Sequence, residues 1–224
     1  MGQDPQQQDL AARLRGFGPL GIAAVVLVLG GNLIFAGLSA IGVLLWAWLA
    51  EIPLADLGLK TPRSWVGTIA LGAAFGIALK VAMKAVVMPL LGGPAINPAY
   101  HFIAGNTAVL PAMILTMIFV AGIGEEILYR GFLFERLRRL LGESRVATAA
   151  IVVGTTLLFA AAHIPEQHLA GAQQALFVGF AYAMMYLLSG TLWLGICAHA
   201  AFDLTAVAMI YFNLEASIAH SIFG

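Results

Sequence analysis

Glu125 and Glu126 stand side by side in Val120-Ala121-Gly122-Ile123-Gly124-Glu125-Glu126-Ile127-Leu128-Tyr129-Arg130, one of the most apolar stretches of the chain. Two more polar patterns follow in apolar surroundings, Phe159-Ala160-Ala161-Ala162-His163 and His199-Ala200-Ala201-Phe202-Asp203. Carboxylates and imidazoles are the side chains that exchange protons with water and that ligate metal ions. Burying them in hydrocarbon is costly, so their presence there points to function.

The spacing says which of them can act together. Glu126 and Arg130 are four apart on a helix and can pair, with the guanidinium holding the carboxylate in a fixed fork. An α-helix turns Glu125 about 100° away from its neighbour, leaving it for another task, and brings Tyr129 within hydrogen-bonding reach of it. Read structurally, the two glutamates and Arg130 form an ion-pair network inside a bundle. Phe159 and His163 share a face, as do His199 and Asp203, where a carboxylate beside an imidazole fixes its tautomer. The bland alternative for that last pair is polar glue between helices. His101 and His168 are expected to be satisfied polar residues, and Cys197 a small packing residue. Lys80 and Lys84 lie on one face of an earlier apolar helix and are expected to reach toward the outer interface, the alternative being a role in substrate or counter-ion binding.

The elements that carry these residues must be membrane helices. Of 224 residues, 61% are hydrophobic and 10% charged, against about a quarter charged in an ordinary soluble domain. Long unalternating apolar runs predict helices, since strands and loops leave backbone groups unpaired in lipid. The fold expected is all-α, a polytopic transmembrane bundle of six or seven spans. Residues 1–16 form a polar N-terminal segment, with Arg13 and Arg15 preceding an apolar run in the manner of a signal anchor. The section 17–65 holds either one over-long tilted helix or two short helices hinged at Gly30-Gly31-Asn32, then a connection. Residues 66–213 form the main bundle and 214–224 a short tail. Spans are expected at 66–91, 108–140, 146–164, 169–188 and 191–212. Arg136, Arg138, Arg139 and Arg145 place the loop after the second of these in the cytoplasm, with Lys60 and Arg63 on the same side. A formal net charge of zero with no basic block argues against nucleic acid as a partner.

Depth follows from a rise of about 1.5 Å per residue: Glu125 lies about 20 Å from Arg138, His163 about 27 Å from Arg145, His199 about 13 Å from Gly190 and Asp203 about 6 Å further. In a core about 30 Å thick, all four fall inside the membrane, near mid-depth.

Glu-Glu-x-x-x-Arg, then Phe-x-x-x-His, then His-x-x-x-Asp, in that order on three membrane helices, resembles the CAAX prenyl endopeptidase family, also called the CPBP or Abi family of intramembrane proteases. The resemblance covers about residues 108–210, and Leu57-Gly58-Leu59-Lys60 is typical of what precedes. It implies hydrolysis of a peptide bond in a membrane-associated protein or peptide. It makes Glu125 the water-activating glutamate, His163 and His199 the catalytic histidines, and Asp203 the Asn/Asp four residues on. Glu126 and Arg130 become supporting groups. Members that process prenylated proteins commonly have Asn where Asp203 stands, and an ionised Asp cannot donate a hydrogen bond to an oxyanion. Two mechanisms are compatible. Glu125 and His163 activate water while His199 stabilises the oxyanion, or His163, His199 and Asp203 hold zinc with Glu125 as base. The compact His-Glu-x-x-His zinc signature is absent, and the metal-free route is the one expected, with no cofactor required. Partners are then the lipid bilayer and a peptide substrate, and the setting expected is a prokaryotic inner membrane. A non-catalytic scaffold or immunity protein on the same fold is the competing reading.

Overall fold

The computed structural model describes residues 5–34 and 36–223. Residues 1–4 of the polar segment, 35 of the apolar run and 224 of the tail lie outside the described residues. Within them the chain is helical, with no strand. The helices are α1 (Pro5–Arg15), α2 (Pro19–Ile34), α3 (Ala36–Leu49), α4 (Trp65–Leu90), α5 (Leu110–Leu141), α6 (Arg145–Ala162), α7 (Ile164–Ser189), α8 (Leu192–Tyr211) and α9 (Glu215–Ala219). Helices α4 to α8, five in all, are long and apolar enough to cross a membrane. A sixth span is reached only if α1 and α2, bent by 63°, are taken together. This all-α bundle of apolar helices is that of an integral membrane protein.

The count sits at the low edge of the expected six or seven because the run from Phe17 to Ala50 is neither one long helix nor a full pair of spans. Helices α2 and α3 hold 16 and 14 residues. At about 1.5 Å per residue they fall short of a core about 30 Å thick. They lie back to back: Ser39 Oγ donates to the Val28 carbonyl at 2.7 Å, and Gly42 faces Val28. Helix α2 continues through the expected Gly30-Gly31-Asn32 hinge to Ile34, and α3 begins at Ala36. The hairpin returns its ends to one place, where Arg15 Nη1 donates to the Ala50 carbonyl at 3.0 Å. Arg136 closes that end by donating to the carbonyls of Arg15 and Gly16, both at 2.7 Å. The connection after α3 joins it too, since Leu192 N and Thr191 Oγ1 both donate to the Gly58 carbonyl. Arg15, Arg136 and the loop leading to Lys60 therefore gather at one end of the bundle.

Two features of the helices position the polar residues. First, α4 and α8 pack backbone to backbone. A Cβ on Gly76 would lie 2.0 Å from the Ala198 carbonyl oxygen, and one on Gly72 would lie 2.6 Å from Cys197 Cβ. Small residues four apart allow this approach between membrane helices. It sets the height of His199, and it gives Cys197 the packing role expected. Second, α5 is wound wide over Thr116–Glu125 and Ile127–Phe132, with π-type hydrogen bonding. Such turns concentrate at functional sites. They replace the regular 100° step assumed from sequence around Glu125 and Glu126.

The boundary between α6 and α7 also differs from expectation. No loop follows 164: α7 starts at Ile164 directly after His163, with Pro165 in its first turn, where proline needs no hydrogen-bond partner. The expected loop appears as a kink, His168 taking φ 55° and ψ −158° inside α7.

Candidate active site

The site is built outward from His199, a buried residue of α8. Its Nδ1 lies 2.9 Å from Glu126 Oε1. A carboxylate can only accept, so Nδ1 carries the proton. The same oxygen accepts from Arg130 Nη1 at 2.9 Å, and Arg130 Nη2 donates to the Gly179 carbonyl at 2.8 Å. Three helices are thereby tied through one carboxylate: α5 by Glu126 and Arg130, α7 by Gly179 and α8 by His199. Glycines make room for it. A Cβ at Gly195 would lie 3.2 Å from Glu126 Oε2, and one at Gly179 would lie 2.9 Å from Phe159 Cδ1. The side chains of Glu126 and Arg130 are each only 1% exposed, so this network is sealed.

Phe159 is the aromatic hub. Its ring lies 4.6 Å from the Arg130 guanidinium, 4.7 Å from the His163 ring and 5.9 Å from the His199 ring. Tyr182 covers the other side of His199 at 4.9 Å. His163 caps the C-terminus of α6, and its Nδ1 lies 2.8 Å from the Phe159 carbonyl. A carbonyl only accepts, so Nδ1 holds the proton and Nε2 keeps a lone pair. With α6 about 27 Å long at the usual rise, His163 stands at the end of its helix away from Arg145.

The other edge of His199 is open. Its Nε2 lies 3.4 Å from Asp203 Oδ2 and 3.8 Å from Glu125 Oε2. Glu125 Oε2 makes no hydrogen bond to any described protein group. The Glu125 and Asp203 side chains are 18% and 21% exposed. Both line a cavity of about 320 Å³ with His163, His199, Tyr129 and Phe159. The structure thus brings Glu125, His163, His199 and Asp203 to one chamber and places Glu126 and Arg130 behind it. Tyr129 OH accepts from Asn32 Nδ2 at 3.3 Å, which links the N-terminal hairpin to the site in place of the Glu125 contact considered from sequence. At the rim, burial and the nearby Glu166 carboxylate push the Tyr100 hydroxyl up to about 12, so it keeps its proton at neutral pH.

Both lysines of α4 depart from expectation. Neither reaches the interface, each being 7% exposed. Lys84 Nζ pairs with Glu215 Oε1 at 3.0 Å, and the same carboxylate oxygen accepts from Asn97 N at 3.1 Å. Lys80 Nζ donates to Gln174 Oε1 at 3.2 Å and lies 4.8 Å above the Phe202 ring. Sequence reasoning missed Glu215, Gln174, Asn32 and Asn97. Glu215 and Gln174, polar groups in apolar surroundings, carried the same signal that exposed Glu125.

The zinc set His163, His199 and Asp203 can be tested against this geometry. Among the described residues, no three His, Cys, Asp or Glu side chains are arranged to hold a metal ion. His199 Nδ1 is engaged by Glu126, and its Nε2 lies 3.4 Å from Asp203 Oδ2. No step is routed through a metal.

No curated protein and no solved structure matches the chain. Residues 107–205 match the family described as Type II CAAX prenyl endopeptidase Rce1-like. That stretch begins just before α5, ends within α8 and contains every residue of the three motifs, so over these residues the chain is similar to the CAAX prenyl endopeptidase family that its motif order resembles.

Proposed function

We propose that the chain is an intramembrane endopeptidase that hydrolyses a peptide bond of a membrane-associated protein or peptide, with Glu125 as the base. The observation that carries this is a carboxylate with an oxygen that makes no protein hydrogen bond, in a chamber shared with two histidines whose Nδ1 atoms are each engaged by an oxygen acceptor. A water between Glu125 and His163 loses a proton to Glu125 as its oxygen attacks the carbonyl carbon. The Nε2 of His163, holding a lone pair, accepts the water's second hydrogen and orients it. His199, positioned by Glu126, presents Nε2 to the carbonyl oxygen, and in its imidazolium form donates to the developing oxyanion. Glu125 then passes its proton to the departing amine as the C–N bond breaks. The products are a new carboxyl terminus and a new amine. Asp203 holds Nε2 from the side and keeps the imidazole in register.

The domain's family suggests a lipid-modified C-terminal peptide as the class of substrate. The test compares membrane proteomes of cells carrying wild type or Glu125→Ala. Uncleaved precursors are expected only with the variant. Identical proteomes, with a phenotype retained by Glu125→Ala, would make the protein a scaffold.

A further inference from the structure

The chamber does not end at Asp203. Beyond it lies a second cavity of about 240 Å³ between α4, α7, α8 and α9, and Lys80, Asn97, Gln167 and Gln174 line both. The two cavities adjoin, with Lys80 lining both.

The charges along them are uneven. The first cavity is lined by Glu125, Asp203 and Glu166, all acidic, and by one lysine. In the second cavity the Lys84 charge is balanced by Glu215 at 3.0 Å. Lys80 is different. It is buried, and no carboxylate lies within 4.0 Å of its Nζ among the described residues. Its one hydrogen bond goes to a neutral amide, and its nearest aromatic face is Phe202. Asp203 acts on it only at longer range. An ammonium has three donors, so two remain for a ligand. A buried charge without a contact partner is costly, and proteins keep one where something is to be bound.

The geometry points to Lys80, with Gln174, as the subsite for a carboxylate of the peptide on the leaving side of the scissile bond. This rests on the peptidase reading above. Glu125, Asp203 and Glu166 repel a carboxylate along the first cavity, so Lys80 would fix how far the peptide runs past Glu125, and hence where it is cut. The carboxylate has two sources, the free C-terminus and an acidic side chain.

The probes are three peptides: farnesyl-cysteine followed by Val-Ala-Leu with a free acid terminus, the same with a carboxamide terminus, and the carboxamide form with Glu in the last position. Binding is measured in detergent on full-length Glu125→Gln protein, so that the result does not depend on cleavage. The acid peptide is expected to bind at least about tenfold tighter than its amide. The preference should fall to within about twofold in Glu125→Gln/Lys80→Met and survive in Glu125→Gln/Lys80→Arg. If the Glu-amide peptide regains the affinity, side-chain carboxylates are also read; if not, the site reads the terminus. Acid and amide peptides that bind equally or not at all, or a preference that survives Lys80→Met, overturn the proposal. Thermal melting of each variant separates loss of recognition from loss of fold. A preference that holds while wild type cleaves none of the three leaves the carboxylate site standing and removes the peptidase reading.

Discussion

The two sides of His199 use the same chemistry for opposite ends. On the Nδ1 side, Glu126 and Arg130 are sealed and tied to the His199 ring and the Gly179 backbone. On the Nε2 side, Glu125 and Asp203 reach a cavity, and one Glu125 oxygen makes no protein hydrogen bond. Glu125 and Glu126 are neighbours in sequence and identical in type. What separates them is their adjacent places on α5, which point one into the bundle and the other into the cavity. A buried carboxylate with every partner in place fixes geometry. One left short of partners is free to react.

The largest effect should come from the open side. Glu125→Gln replaces the carboxylate proposed as the base with a group of nearly unchanged shape, and turnover should fall by at least about 10²–10⁴-fold. The melting temperature in detergent should hold, because no protein hydrogen bond is lost from Oε2. Substantial residual cleavage by a well-folded Glu125→Gln would move the base to another residue.

The sealed side should answer in stability. Glu126→Gln leaves the Arg130 charge buried without its counter-ion, a loss of about 3–5 kcal/mol. Expression yield and melting temperature should drop. Glu126→Gln/Arg130→Met removes the stranded charge and should recover much of that loss, as replacement of buried ion pairs by apolar groups often does. Activity should stay about 10–100-fold low even so, because the neutral amide holds His199 less firmly. A double variant as unstable as the single would show that stability rests on the Arg130 contacts to Gly179 and Phe159 instead.

The sequence showed the open side better than the sealed one. Glu125, His163, His199 and Asp203 stood out because charge is rare in apolar runs, and the main spans ended within a few residues of where they were expected. The i, i+4 spacing also disclosed the Glu126–Arg130 pair. The bridge from Glu126 to His199 was not legible, since it crosses 73 positions and depends on tertiary packing. Nor was the wide winding of α5, because π turns have no composition of their own. Lys80 and Lys84 were read as reaching for the interface because their partners lie 94 and 131 positions away. The direct passage from α6 into α7 was not expected either, although Pro165 suits a position just inside a helix start.

A smaller effect should separate packing from chemistry. Gly76→Val places side-chain atoms against the Ala198 backbone, next to His199. Overpacking of this kind costs about 1–3 kcal/mol, and α8 must shift to relieve it. Turnover should fall with stability. Gly154 is the control, because a Cβ there meets nothing within 4 Å. Gly154→Ala should hold activity and gain up to about 1 kcal/mol from helix propensity. Equal behaviour of the two variants would mean that the α4–α8 contact does not set the height of His199.

The smallest expected effect is none, and it concerns metal. A zinc site needs three ligand atoms with free lone pairs converging on one point, usually with a water in the fourth position. His163 offers Nε2, since its Nδ1 donates to the Phe159 carbonyl. His199 offers only the edge that already touches Asp203 and Glu125, because its Nδ1 donates to Glu126. No three such groups are arranged to hold an ion among the described residues. Purified protein treated with a strong chelator should therefore keep its rate to within about twofold, where removal of a catalytic zinc would abolish it. Elemental analysis should find zinc well below one per chain. Loss of activity on chelation, restored by Zn²⁺ and abolished in Asp203→Asn, would show that the open side closes around a metal, and His163, His199 and Asp203 would then be its ligands.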